Sequence, residues 1–191
     1  MPTIAKHALA TLLVATPLLA LADTTAGLDE EAGALIQTFA SSLKAELVEA
    51  MSAGGPSHAI GVCQERAPAI AATLSEDSEW NIARTSLKPR NPENAPDAWE
   101  TDVLEQFESR KAAGNEVAGM HYAEVVERNG QAAYRFMQAI PTEGVCLTCH
   151  GTHLDPALAQ TIDDAYPEDQ ARGYSVGDIR GAFTLSQPLQ D

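Results

Sequence analysis

The chain has 191 residues, and its 12 basic and 27 acidic side chains give a formal net charge of −15 at pH 7. Such an acidic surface repels phosphate backbones, so we expect no nucleic-acid partner. A hydrophobic fraction of 45% is enough for one folded core, and three cysteines are too few for a disulfide-stapled mini-protein.

The first 22 residues have the features of an export signal. A short positive region at Lys6 and His7 precedes an apolar run that ends at Leu21, and Ala20-Leu21-Ala22 is a small-x-small cleavage site. The run of roughly 14 residues is shorter than the ~20 that a membrane span needs, although an uncleaved anchor is the alternative. We predict a soluble periplasmic protein with one domain, residues 23–191, and no membrane span after cleavage. Its net charge is −16, because the signal carries one lysine and no acid.

Two helical segments are predicted at the start of the mature chain. Apolar residues recur about every four positions from Leu28 to Ala53, which indicates an amphipathic helix. Gly54-Gly55-Pro56 ends this helix and starts the next, which extends from His58 to Leu74 with its apolar residues on one face. Pro68 interrupts that second segment, so we expect a kink there or two short helices.

The rest of the chain predicts mainly strands, with Asn129-Gly130 as a strong hairpin signal. Because helices precede a hairpin and a final strand, without regular alternation of the two, we expect an α+β fold with an antiparallel sheet. The predicted elements are a strand at Trp80–Leu87, a loop at Lys88–Pro96, a helix from Pro96-Asp97 onward, strands at Tyr122–Arg128 and Gln131–Ile140, a helical patch at Pro156–Ala165 and a strand at Ile179–Leu189.

A C-x-x-C-H motif formed by Cys146, Cys149 and His150 is the strongest chemical signal in the sequence. At this spacing, two thiols add to the two vinyl groups of one haem, and the adjacent histidine becomes an axial ligand of the iron. A thioredoxin-like pair would begin a helix after a strand, and a zinc site would need further ligands at suitable spacing. A Cys146–Cys149 disulfide is the remaining alternative. With one motif, we predict one covalent haem c.

The second axial ligand decides the function, and the residues alone leave it open. Cys63 lies on the apolar face of its predicted helix, where it is either a buried inert thiol or a thiolate ligand that stabilises ferric iron. A methionine ligand would raise the reduction potential and suit electron transfer. The thioether and imidazole candidates are Met120, Met137, His58, His121 and His153, for which core packing or a surface position is the ordinary role.

Four stretches, in this order along the chain, carry a family resemblance: Ala59–Cys63, Arg84–Glu100, Cys146–Gly151 and Gly177–Ala182. The most specific is the second, with its pattern Leu-Lys-x-Arg-Asn-Pro, then Ala-Pro-Asp and Trp-Glu. Through them the chain resembles a family of exported c-type haem domains with a PAS-like fold, long known as a domain of unknown function. That family occurs as stand-alone proteins and as the periplasmic input modules of bacterial histidine kinases and chemoreceptors.

The resemblance implies a PAS-like fold, with N-terminal helices and an antiparallel sheet packed around one c-type haem. It also implies His150 on one face of the iron and Cys63 on the other, and a role in sensing redox state or a diatomic gas such as NO, CO or O₂. The chain ends soon after Leu189, without the kinase or second membrane span of the sensor members. We therefore expect it to act by electron transfer or by docking to another protein.

Arg84, Lys88 and Arg90 lie close together in a chain that has few cations. Haem propionates need cationic partners, and arginine offers bidentate geometry for a carboxylate. We predict these three residues as cofactor-binding residues alongside the two motif cysteines. A solvated loop with surface ion pairs is the alternative.

Three functions are consistent with this pattern. The first is a redox or gas sensor in which Cys63 is a displaceable ligand. The second is a simple periplasmic electron carrier with His/Met ligation, and the third is a haem oxidoreductase that acts on inorganic sulfur compounds. We expect electron transfer or sensing rather than catalysis, with an unidentified redox or signalling protein as the partner.

Overall fold

The computed structural model of the protein describes residues 18–128 and 130–189. The first 17 residues of the predicted export signal lie outside them. Among the described residues, no helix has both the length and the apolar character needed to cross a bilayer. The helices are α1 (Leu18–Gly61), α2 (Ala67–Glu76), α3 (Ala98–Ala112), α4 (Leu147–His150) and α5 (Pro156–Ala165), and the strands are β1 (Asn81–Thr85), β2 (His121–Arg128), β3 (Gln131–Pro141) and β4 (Ile179–Pro188).

The four strands form one antiparallel sheet in the order β1-β4-β3-β2. The predicted hairpin is confirmed, because Arg128 pairs with Gln131 and Gly130 adopts the positive φ of 78° that such a turn favours. The last strand inserts between β1 and β3 and pairs with both. The predicted α+β class with an antiparallel sheet is therefore confirmed.

Helices cover both faces of the sheet and bury two separate cores. On one face, Phe39 of α1 packs with Phe136 and Leu185, and α2 adds further apolar contacts. On the other face, Phe107 of α3 packs with Met137. Neighbouring residues of β3 thus point into different cores, as the two-residue period of a strand requires.

The N-terminal helical region is broken at two places. Gly55 has φ 72° and ψ −170°, and Pro56 begins the next helical segment. Val62–Arg66 then forms a π-helical turn, which leads directly into α2. Pro68 lies in the first turn of α2, where its missing N–H is tolerated. The irregularity therefore lies just before Pro68, in the turn that carries Cys63, and not at Pro68 itself.

The loop after β1 determines where that strand stops. The Ser86 amide donates to Asn94 O (3.1 Å) instead of continuing the ladder, so β1 ends before the predicted Leu87. Asp97 and Glu100 then start α3 with reciprocal side-chain to backbone bonds, the arrangement of a capping box. This loop brings the cationic stretch of residues 88–90 back towards the start of β4.

Candidate functional site

A cleft of about 750 Å³, counting the part open to solvent, lies beside the core that α1 and α2 form with the sheet. The π-helical turn, the end of β1, the following loop, α4 and the start of β4 all contribute to its wall. Its sulfur-containing, ionisable and aromatic lining residues are Cys63, Arg84, Arg90, His150, Tyr166 and Arg180.

The C-x-x-C-H motif folds as a short helical segment near this cleft. A 3₁₀ turn ends at Cys146 and passes into α4, which ends at His150. All three cysteines are free thiols. Cys149 is half-buried and packs against an apolar cluster that includes Leu158 and Ile162 of α5. A Cβ on Gly151 would lie 2.6 Å from Leu147 O, so only glycine fits after the histidine.

The His150 ring has one nitrogen bound and the other directed at the cleft wall. Nδ1 donates to Ala171 O (2.7 Å), which leaves the lone pair on Nε2, where Arg180 Nε approaches at 3.5 Å. Burial, together with the charges of Arg180 and Arg90, lowers the pKa of His150 to about 3. The imidazole is therefore neutral at physiological pH, which is the state that binds a metal ion.

Cys63 faces the same cleft from the π-helical turn, where its side chain is half-buried. Burial raises the pKa of its thiol, while the charges of Arg84, Arg90 and Arg180 act in the opposite direction. Burial outweighs these charges, so the free thiol stays neutral, and the same cations would stabilise the negative charge of a thiolate if its sulfur bound a metal ion.

Arg84 and Arg180 bring two positive charges to the cleft without a carboxylate partner in the described part of the chain. Arg84 lies over the Phe39 ring at 5.6 Å, and Arg180 donates to the neutral oxygens of Ser86 (3.2 Å) and Lys88 (3.4 Å). Burial lowers the pKa of both guanidinium groups. Half-buried cations without an acid partner favour an anionic ligand, such as a carboxylate.

The other two predicted cations have different surroundings. Arg90 is buried and already paired with Asp169 (2.9 Å), and it also donates to Cys149 O (2.6 Å). Lys88 is exposed, its ammonium donates to a backbone carbonyl at Arg172 (2.5 Å), and it is absent from the cleft lining. The structure thus brings Arg84 and Arg90 to the cleft and leaves Lys88 outside it.

None of the other predicted axial ligands lines the cleft. Met120 and Met137 are buried in the core beneath α3, and the three histidine candidates have exposed side chains. Three residues of the site were not singled out from the sequence, namely Tyr166, Asp169 and Arg180. Arg180 does belong to the family-like stretch Gly177–Ala182.

Comparison with known proteins places the chain in a family. The family described as Tll0287-like (Tll0287) matches residues 21–188. A solved structure, the cyanobacterial heme-protein Tll0287, is 26% identical with a TM-score of 0.61, over 85% of this chain and 98% of that chain. No curated protein matches. The resemblance drawn from sequence is thereby confirmed, and the chain belongs to the Tll0287-like family.

Proposed function

We propose that this protein is an exported monohaem c-type cytochrome-like protein that senses redox state or a diatomic gas. One observation carries the proposal: Cys63 and His150 face the same cleft, and His150 follows the two thiols of a C-x-x-C-H motif. The family relative of known structure is itself a heme-protein, which supports a haem in this chain as well.

The residues present fit such a group. Cys146 and Cys149 would form the two thioether bonds, and the His150 Nδ1–H bond to Ala171 O leaves Nε2 available to the iron. Cys63 would be the second axial ligand. When bound, haem iron supplies one-electron redox chemistry and, once one axial ligand leaves, a site for NO, CO or O₂.

The cations of the cleft fit the two propionate groups. Arg84 and Arg180 are already partly desolvated and lack carboxylate partners in the described chain, so each can pair with a carboxylate of the ligand. Arg90 borders the cleft but is occupied by Asp169, so its contribution is chiefly its positive potential. Lys88, which lies outside the lining, would contribute at longer range.

The position of Cys63 favours sensing over simple electron transfer. π-Helical turns are rare, and those that occur are often found at functional sites. This one lies between the helix break at Gly55 and α2. A ligand carried by such a turn would give two states. The iron would hold the turn while Cys63 is bound to it, and the turn would be free to move when Cys63 leaves the iron. In the periplasm, the acidic surface would suit a basic protein partner.

Low-temperature EPR and optical spectra of the ferric protein, expressed with c-type haem maturation, test this proposal. We expect a thiolate-type low-spin signal that Cys63→Ala abolishes. Met120→Leu and Met137→Leu are the matched controls, because they replace buried methionines of the opposite core with little change of volume. Both should leave the signal unchanged.

The opposite outcomes identify the other functions. A spectrum that survives Cys63→Ala but changes in a methionine variant would make the protein a His/Met electron carrier. Reduction of an electron acceptor that depends on sulfite or thiosulfate would make it an oxidoreductase. Loss of all haem on denaturing extraction of the wild-type protein would contradict covalent attachment.

A further inference from the structure

The chain segment after α5 is bonded to the end of the C-x-x-C-H motif by three hydrogen bonds. The Gly173 amide donates to Gly151 O (3.0 Å), and the Tyr174 amide donates to His150 O (3.0 Å). The third bond is the one from His150 Nδ1 to Ala171 O (2.7 Å). The position of the imidazole therefore depends on the position of residues 171–174.

A buried carboxylate holds that segment in place. The Asp169 side chain is only 2% exposed, and it accepts from Arg90 Nε (2.9 Å), Arg172 Nε (2.8 Å) and the Ala171 amide (2.9 Å). A carboxylate that accepts several charge-assisted and backbone bonds is strongly fixed in orientation. The Ala171 peptide, which also supplies the acceptor for His150, is fixed with it.

Arg90 extends this arrangement to the motif itself. Its Nη2 donates to Cys149 O (2.6 Å) and lies 3.3 Å from Ala171 O, the carbonyl that accepts from His150. Asp169 and Arg90 thus contact the backbone on both sides of the imidazole without touching its ring. Neither residue provides a ligand atom for the iron, so any effect that they have on the orientation of the axial ligand is exerted through His150.

We propose that Asp169 is a positioning residue that, through Arg90 and the Ala171 carbonyl, sets the orientation of the His150 ring at the iron. This inference rests on the proposed function, since it concerns the same site. Partners behind a ligating histidine fix its tautomer and ring orientation and tune the metal. Asp169→Asn keeps the size of the side chain but replaces a charged acceptor of two guanidinium groups by a neutral amide.

Proton NMR of the ferric haem-loaded protein measures this orientation directly. The spread of the hyperfine-shifted haem methyl resonances depends on the plane of the axial imidazole. We expect Asp169→Asn to shift these resonances relative to the wild type. The matched control is Asp163→Asn, which removes a carboxylate that also binds Arg172 but is 56% exposed and makes no bond to Arg90 or Ala171. It should leave the methyl pattern unchanged.

A second variant keeps the proposal testable if Asp169→Asn does not fold. Arg90→Lys retains the charge but loses the planar fork that reaches both Asp169 and Cys149 O, and we expect it to shift the methyl resonances too. If either variant folds and its haem methyl resonances coincide with those of the wild type, the proposal is overturned. So would failure of both variants to fold beside a folded Asp163→Asn, because the pair would then serve folding alone. Wild-type protein without haem would refute the proposed function and this inference together, whereas haem-loaded protein with unmoved resonances refutes only the inference.

Discussion

Cys63 and His150 line one cleft, although Cys63 belongs to the π-helical turn before α2 and His150 is the last residue of α4. Cys63 presents a sulfur atom, and His150 presents Nε2, because its other ring nitrogen, Nδ1, already donates to Ala171 O. Two donors of different chemistry that line one cleft fit the single iron centre of the proposed function. This convergence is the basis of the predictions about the reduction potential.

Cys63→Ala is expected to raise the midpoint reduction potential. A thiolate ligand donates electron density and stabilises ferric iron, so its loss favours the reduced state. An optical redox titration of the wild type and the variant measures the change, with Met137→Leu as a control that should keep the wild-type potential. Equal potentials for the wild type and Cys63→Ala would exclude Cys63 as an iron ligand.

Arg84→Gln is expected to lower the midpoint potential. Arg84 brings a positive charge to the cleft that no carboxylate of the described chain neutralises, and such a charge favours the electron-rich, reduced state. We expect a fall of roughly 60 mV, which corresponds to a tenfold change in a one-electron equilibrium. Arg110→Gln is the matched control, because Arg110 lies over Phe107 on the opposite face of the sheet. A similar fall in both variants would attribute the effect to net charge and not to the cleft.

The elements of this fold were largely predictable because their signals are local. The hairpin that pairs Arg128 with Gln131 and the helix start at Asp97 each depend on a few adjacent residues, and both occur where the sequence indicates. The insertion of β4 between β1 and β3 depends on long-range pairing, which no local pattern encodes. Arg180 reaches the cleft through that insertion, and for this reason the sequence did not single it out.

The loop cations illustrate a second limit of the sequence. Lys88 and Arg90 are two positions apart and have the same charge, so composition treats them alike. In the structure Lys88 is exposed, whereas Arg90 is buried against Asp169. Asp169 lies in a segment without periodicity, and its partner Arg90 belongs to a distant loop, so only the folded chain identifies the pair.

Asp169→Asn should also reduce the amount by which the free energy of unfolding decreases at acid pH. Burial alone would raise the pKa of Asp169, but bonds from Arg90, the Ala171 amide and Arg172 outweigh it and lower the pKa below its ordinary value. The stabilisation is therefore present above about pH 3.9, the value for an unfolded chain, and is lost as the pH falls through the lower folded value. Urea unfolding at pH 7 and pH 3 measures it. The difference between the two pH values should be smaller in Asp169→Asn than in the wild type, and an equal difference would contradict the assignment.

Gly55→Ala is expected to destabilise the protein by about 1 kcal/mol. Gly55 has φ 72°, a conformation that a residue with a Cβ rarely adopts, and beyond the adjoining backbone no atom lies within 4 Å of the added carbon. The cost is therefore one of backbone conformation and not of packing. Gly33→Ala provides a control of opposite sign, because Gly33 lies in α1 with open space around it, and alanine there should stabilise by about 0.5–1 kcal/mol. Urea unfolding of both variants measures the two changes, and equal signs would contradict this reasoning.

Gly181→Ala is expected to destabilise the protein by roughly 1–3 kcal/mol, the range of an overpacked core. The added Cβ would lie 2.3 Å from Thr85 O and 3.1 Å from Ser86 Cβ, so β1 and β4 would have to separate at the wall of the cleft. Arg180 would move with them, because its carbonyl accepts from Ser86 Oγ at 2.9 Å. The variant should therefore combine a lower unfolding midpoint with a changed haem spectrum. Gly144→Ala, where no atom beyond the adjoining backbone lies within 4 Å of the added carbon, should change neither. A Gly181→Ala protein with wild-type stability would show that β1 and β4 separate there without strain.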